Sequence, residues 1–430
     1  MRRLLIISPY FPPINAADAQ RIRMSLPYFK EFGWQAEVVT VQPAYTDFPI
    51  DEMLSRSIPT DTTLHYVKAL NQNITAKFGL GSVALRSLFY YRTKVNQLLA
   101  KETFDLIYFS TTQFPVCALG PYWKKKFKIP FVIDMQDPWY SDYYKGRPKN
   151  ERPPKHWFSS RLNRLLEAMT MKKVDGLISV SEKYIDTLQE RYPNTIDAPA
   201  AVITFGAFGP DTQIAAKHTE HLRDILIPGF KNIVYVGRGG TDMHAALTPL
   251  FKALASGIKS QPDLFRKLRL YFIGTSYAPA GKGIPTISPL ADKYGVSGSV
   301  IEITDRISYF HTLKTLLQAD ALFIPGSDDV SYTASKIFPY LTTNKPLLAI
   351  VHPQSPIPRV FHDYGLKTCY SYTKPAIATK ESLDFMTRIL KEEVAVVTYN
   401  GEGSEKYTAR NMARSQVTLF NRVIERLSKA

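Results

Sequence analysis

Cysteine is scarce in this chain: Cys117 and Cys369 are the only two in 430 residues. Two thiols cannot build a disulfide framework or a cysteine-rich zinc site, so a reducing, cytoplasmic setting is expected. No run of 18 apolar residues occurs, which excludes a membrane-spanning helix. Arg2 and Arg3 precede only Leu4–Ser8 before Pro9, Pro12 and Pro13 interrupt, so no signal-peptide core is expected. The eight histidines contain no His-Glu-x-x-His, and His218 and His221 are expected on the surface. Also missing are a Gly-x-Ser-x-Gly nucleophile turn, an Asp-x-Asp segment able to hold a divalent cation, and a repeat of solenoid period.

Acid is the other shortage. Asp and Glu number 38 against 54 Lys and Arg, a net charge of +16 that calls for an anionic partner. Nucleic acid, a membrane surface and a nucleotide-linked substrate all satisfy the charge alone. Residues 122–173 hold 13 basic and 5 acidic side chains, and Thr62 to Lys101 holds no acid at all. Within that second zone Leu80, Val83, Ala84, Leu88, Tyr91, Val95, Leu98 and Leu99 recur at helical spacing, flanked by Lys77, Arg86, Arg92, Lys94 and Lys101. The pairing predicts an interfacial helix on an anionic membrane, although a core helix would explain the apolar stripe equally well.

The length suits two domains of roughly 100–200 residues each. Strand-length apolar runs occur at Leu4–Ser8, Ala36–Val41, Leu64–Val67, Leu106–Ser110, Phe131–Met135, Gly176–Val180 and Ala201–Phe205, with helical periods such as Arg21–Phe32 and Arg161–Lys173 between them. After a weakly apolar stretch, Pro210–Gly229, the pattern restarts at Asn232–Gly237, Leu268–Gly274, Val300–Thr304, Ala321–Pro325 and Leu347–Val351. Continuous apolar strands alternating with helices predict parallel sheets covered on both faces. The expected class is α/β, with two doubly wound, Rossmann-like domains facing across a cleft. Their bounds are 1–205 and 206–404, with an amphipathic helix over 405–430 packing back on the first. In such sheets ligands lie beyond the carboxyl ends of the strands.

Four loops at those ends carry the candidate chemistry. After the first strand, Asn15 or Asp18 can cap a helix and Arg21 lies about one turn into it, where it could meet an anion or acceptor. After the fifth, Asp137 and Trp139 in Asp134-Met-Gln-Asp-Pro-Trp offer a carboxylate for hydroxyls and a ring for the C–H face of a sugar. In the second domain, Gly237, Gly239 and Gly240 surround Arg238, so that backbone N–H groups and a guanidinium could receive an anion. The spacing is neither Gly-x-Gly-x-x-Gly nor a P-loop. The segment Pro325-Gly-Ser-Asp-Asp-Val-Ser-Tyr-Thr-Ala-Ser335-Lys336-Ile-Phe-Pro339-Tyr340 should start a helix near Ser335, since Pro339 belongs in a first turn, and place Lys336 at its anion-binding end.

With these loops located, the sequence resembles the GT-B glycosyltransferases, and within them the family 4 retaining enzymes of bacterial surface polysaccharides. The resemblance runs through "LLIISPYFPP…QRIR", "FVIDMQDPW", "VDGLISVSE", "IVYVGR", "QADALFIPG" and "YTASKIFPYLTTNKPLLAI", in that order over nearly the whole chain. It implies a nucleotide-sugar donor on the C-terminal domain, a glycan or lipid-linked glycan acceptor on the N-terminal domain, and no cofactor or metal. Arg238 and Lys336 then look like the diphosphate pair, with Asp329, Thr333, Ser335 and Tyr340 beside them, and Asp137 like the strand-end acid that completes the catalytic set. Asn15, Asp18, Arg21 and Trp139 fall on the acceptor side. The family's two glutamates eight positions apart are Ser331 and Pro339 here, its frequent histidine before the strand-end acid is Gln136, and its first-loop glycine pair is Asn15-Ala16-Ala17. The resemblance therefore implies a retaining transferase, expected to be metal-independent; the scarce cysteines and the basic zones add the expectation of a cytoplasmic protein, peripheral on the inner face of a membrane, with no nucleic acid partner. A catalytically silent glycan- or partner-binding module and a sugar-nucleotide epimerase are the alternatives.

Overall fold

The computed structural model describes residues 1–140, 156–328, 336–394 and 401–429, which fall into two units: 1–206 with 409–430, and 207–408. In the first, strands β1 (Arg2–Ile7), β2 (Trp34–Val41), β3 (Thr63–Val67), β4 (Leu106–Ser110), β5 (Phe131–Met135), β6 (Gly176–Ser179) and β7 (Ala200–Val202) form one sheet in the order β3-β2-β1-β4-β5-β6-β7. In the second, β8 (Lys231–Val236), β9 (Leu268–Ile273), β10 (Val300–Ile303), β11 (Ala321–Pro325), β12 (Leu347–Val351) and β13 (Cys369–Ser371) run β10-β9-β8-β11-β12-β13. Every ladder in both sheets is parallel. β4, β5, β11 and β12 are buried along their whole length, the pattern expected of strands covered on both faces. The three-residue β13 is too short and polar to stand out as an apolar run.

Each sheet reverses its strand order beside its first strand, between β1 and β4 and between β8 and β11. The loops after β1 and β8 therefore open at the switch points, where doubly wound sheets bind ligands. Within the first unit the final helix, Ala409–Ser428, lays Met412, Val417, Phe420 and Val423 on the core. Phe420 packs edge-on to Trp34 and Tyr108, with centroids 5.6 and 5.0 Å away, and Asn421 Oδ1 accepts from Arg2 Nη1 and Trp34 Nε1. Leu427, in the last turn of this helix, is exposed. The weakly apolar stretch between the two sets of strands contains a helix, Gly209–His218, whose buried Asp211 accepts from Tyr309 Oη at 2.8 Å. His218 and His221 are exposed, as expected.

The helix Val83–Lys101 corrects the interfacial reading of its stripe. Val83, Ala84, Tyr91, Val95, Leu98 and Leu99 belong to the core of the first unit, and Arg86 is only 4% exposed. Arg86 donates to the carbonyls of Gly81, Leu70 and Tyr45, so it braces the chain around the helix start and its buried guanidinium is out of reach of a lipid headgroup. The apolar face meets the sheet rather than a membrane.

A second buried arginine sets the entry to the first switch-point loop. Arg21, in the helix Ala19–Phe29, has no exposed surface; its Nε lies 2.7 Å from Asp134 Oδ2, and its Nη2 donates to the Ile203 carbonyl. Its guanidinium also sits 4.6 Å from the Phe205 ring centroid. Asp134 in turn accepts from Ser110 Oγ and Gln136 Nε2, at 3.0 Å each. Arg21 is thus an internal tie between the first helix and the end of β5 and does not meet an acceptor. Replacing Arg21 with Ala should strand a buried carboxylate and cost about 3–5 kcal/mol of stability in urea denaturation; a loss near zero would show that the pair bears no structural load.

Candidate functional site

In the C-terminal unit the loop after β8 is shaped by its glycines, though not as an anion nest. The Gly237 and Gly239 N–H groups donate to the carbonyls of Ile273 and Thr275, each at 2.8 Å, so neither is available to a ligand. What these positions supply is room. A Cβ at Gly237 would stand 2.4 Å from Tyr235 Oη and 2.8 Å from Lys336 Nζ, and one at Gly240 would stand 2.2 Å from Asp242 Oδ1. Glycine here lets a lysine from a distant loop reach over the strand end and lets Asp242 fold back beside it.

Asp242 is the residue that sequence reasoning missed. Arg238 donates to it through both terminal nitrogens, Nη1 to Oδ1 at 3.1 Å and Nη2 to Oδ2 at 2.7 Å. Ser327 Oγ donates to the same carboxylate at 2.7 Å, and the Asp328 N–H donates to the Asp242 carbonyl at 3.0 Å. One aspartate thereby joins the loop after β8 to the loop after β11 and fixes the plane of the guanidinium. Hydrogen bonding from Arg238 holds the Asp242 carboxyl below its usual range.

Lys336 lies at the other side of this site, immediately before the helix Ile337–Leu341. That helix begins two residues after the expected position and has five residues, so it adds little dipole to an anion site and the charge must come from side chains. The Lys336 ammonium is pushed down to about 8, first by burial and then by Arg306 and Arg238. Arg306, exposed in the loop after β10 with its guanidinium 5.1 Å from the Tyr277 ring centroid, was also not anticipated. Its only sequence signal is its place at a strand end. Tyr340, expected beside the donor, is 2% exposed; its hydroxyl accepts from the Val236 N–H at 2.7 Å and donates to the Val236 carbonyl at 3.2 Å. It ties the short helix to the end of β8 from within the core. Asp329, Thr333 and Ser335 lie outside the described residues.

In the N-terminal unit, Asp137 and Trp139 line a cavity of about 420 Å³ together with Gln113, Phe114, Ser82 and Asn163. Asp137 is exposed, and its carboxyl is raised above the usual range by the surrounding protein and by Asp18. Trp139 is 6% exposed, stacks on Phe114 with centroids 5.6 Å apart, and donates to Asn163 Oδ1, so most of its ring packs the wall. Asp18 stands at the start of the first helix but its side chain does not cap it. The carboxylate instead accepts from Thr111 Oγ1, Thr112 N and Thr112 Oγ1 at 2.9–3.1 Å. Asn15 is partly exposed, and its N–H donates to the Pro49 carbonyl. Of the four residues expected on the acceptor side, Asn15 and the rim of Trp139 keep surface to offer, whereas Asp18 and Arg21 are interior.

Residues 28–206 match the sequence model of Glycosyltransferase Family 4. Among solved structures, the chain is similar to a glycosyltransferase from Rickettsia africae, at 10% identity over 98% of each chain with a TM-score of 0.54. It is likewise similar to a UDP-forming α,α-trehalose-phosphate synthase from Burkholderia xenovorans, at 12% identity over 100% of each chain with a TM-score of 0.53. No curated protein sequence matches it. The two parallel sheets and these likenesses define a protein of the GT-B fold. With a Glycosyltransferase Family 4 domain over residues 28–206, the chain is a glycosyltransferase.

The depressed Lys336 gives the cationic site a pH signature. A lysine lowered to about 8 loses its charge as pH rises through that value, so a nucleoside diphosphate should bind about tenfold more weakly at pH 9 than at pH 7. Calorimetry should show this fall and its disappearance in Lys336→Met. Equal affinities at both pH values in the parent protein would contradict the assignment.

Proposed function

We propose that this glycosyltransferase moves a hexosyl unit from a nucleoside-diphosphate sugar to a hydroxyl of a glycan, carried on a lipid, with retention and without a divalent metal. The observation that carries this reading is the placement of Arg238, held by Asp242, and of the half-buried Lys336 over the end of β8, where a Cβ at Gly237 would stand 2.8 Å from Lys336 Nζ; burial first, and then Arg306 and Arg238, push that lysine down. Like charges are costly to hold together unless an anion joins them, and a diphosphate supplies that anion. As the bond between the sugar's anomeric carbon and the diphosphate oxygen breaks, negative charge grows on the leaving group. Arg238, held by Asp242, and Lys336 are the groups that answer it. Among the described residues no three His, Cys, Asp or Glu side chains are grouped to hold a metal ion.

Asp137 is the acid proposed to act on the acceptor. Its raised carboxyl lies on an open cavity, where it can accept a hydrogen bond from an acceptor hydroxyl and orient that oxygen; retention then requires attack from the face the diphosphate leaves, with the hydroxyl proton passing to the departing diphosphate oxygen. The trehalose-phosphate synthase likeness names a UDP-forming enzyme, which supports a nucleotide leaving group in this fold. The excess of basic residues over 122–173 supports work at the anionic cytoplasmic face of a membrane, and among the described residues no helix is long and apolar enough to cross one.

Arg238→Ala and Lys336→Ala should each lower kcat/KM by about 30- to 1,000-fold, the equivalent of roughly 2–4 kcal/mol of transition-state stabilisation. EDTA should leave the rate of the parent enzyme unchanged. Near-normal turnover in either variant, or a strict requirement for Mg²⁺ or Mn²⁺, would refute the donor site as drawn.

A further inference from the structure

The helix His156–Met171 carries on its outward face what a surface helix normally lacks. Trp157, Leu165 and Met169 are 66%, 58% and 54% exposed, and they recur at intervals of eight and four residues along one side. Arg161 and Arg164 are exposed on the same side, with the Arg161 guanidinium 5.8 Å from the Trp157 ring centroid. Lys172 and Lys173 are exposed just past the last turn. The helix has one acid, Glu167, and it faces inward. It is 1% exposed, pairs with Arg191, and accepts from Tyr192 Oη at 2.9 Å and the Tyr140 N–H at 3.1 Å. The outward face is therefore apolar and basic with no negative charge.

The basic surface continues onto the neighbouring helix Gly120–Phe127. Lys124 Nζ donates to the Lys173 carbonyl at 3.0 Å and pairs with the buried Asp175, which fixes the two helix ends together. Lys125 and Lys126, both exposed, extend the cationic edge.

We infer that the outward face of His156–Met171 docks the protein on an anionic lipid surface. An exposed Trp, Leu and Met set among arginines and lysines match a bilayer interface, where headgroup phosphates take the cations and the acyl boundary takes the apolar groups. A polynucleotide would satisfy the arginines but offer nothing to Leu165 and Met169. The inference deepens the reading of a lipid-carried acceptor, yet it concerns binding alone and is measurable without turnover. It also moves the membrane contact from the helix Val83–Lys101, whose stripe is core, to a helix whose apolar groups face out.

The test is co-sedimentation of the full chain with vesicles of phosphatidylcholine alone and of phosphatidylcholine with phosphatidylglycerol, across a salt series. Binding should require phosphatidylglycerol and weaken with salt. Arg161→Glu with Arg164→Glu, and separately Leu165→Ser with Met169→Ser, should each weaken it at least about tenfold, with unaltered thermal melting. Lys94→Glu with Lys101→Glu should leave it unchanged. Equal, negligible binding to both vesicles overturns the inference, as does loss in the Lys94/Lys101 variant alone, or retention on RNA or an acidic protein in place of vesicles. Transfer to a water-soluble acceptor, measured on the same variants, should persist; its absence from the parent protein would count against the transferase reading and leave the vesicle result standing.

Discussion

All the ladders in both sheets are parallel, and that constraint brings the candidate residues together. Parallel strands must return over a face of the sheet, so every strand in a unit ends at the same edge. Arg238 follows β8, Arg306 follows β10, and Ser327 follows β11; none is near another in sequence except through this edge. Asp137 follows β5 in the same way. A switch in strand order beside β1 and β8 then leaves the first loop of each unit uncovered by a crossover.

Charge completes what topology begins. Three cations are grouped in the C-terminal unit, and Asp242 serves to orient one of them, Arg238, and to bind the neighbouring loop. The first unit shows the opposite arrangement, with charges neutralised inside: Arg21 against Asp134, and Arg191 against Glu167. Buried pairs of that kind hold elements in register, and their cost in desolvation is tolerable only when both partners stay in place. The contrast separates charges paired within the scaffold from the group of cations on which the proposed donor site rests.

Twelve of the thirteen described strands were legible as apolar runs; those buried on both faces, such as β4, β5, β11 and β12, need little context to be recognised. Individual side chains were less legible, for particular reasons. The glycines of the β8 loop were found, but their use depends on Tyr235, Lys336 and Asp242, contacts that no local pattern announces. Arg21 sits in a helix's first turn whether it faces solvent or Asp134, 113 positions later, and sequence periodicity cannot distinguish the two. The stripe on Val83–Lys101 was visible, whereas the face it meets was not. On His156–Met171 the same period was visible, and only the burial of Glu167 reveals that the outward side is wholly cationic and apolar.

The central claim is that the C-terminal unit holds the diphosphate of a sugar nucleotide through the loops after β8, β10 and β11. Hydrogen–deuterium exchange of the full chain with and without UDP- and GDP-sugars tests it directly. One of these ligands should slow exchange over residues 236–243, 304–307 and 336–341 together. Protection confined to the N-terminal unit, or no protection with any sugar nucleotide, would contradict the account.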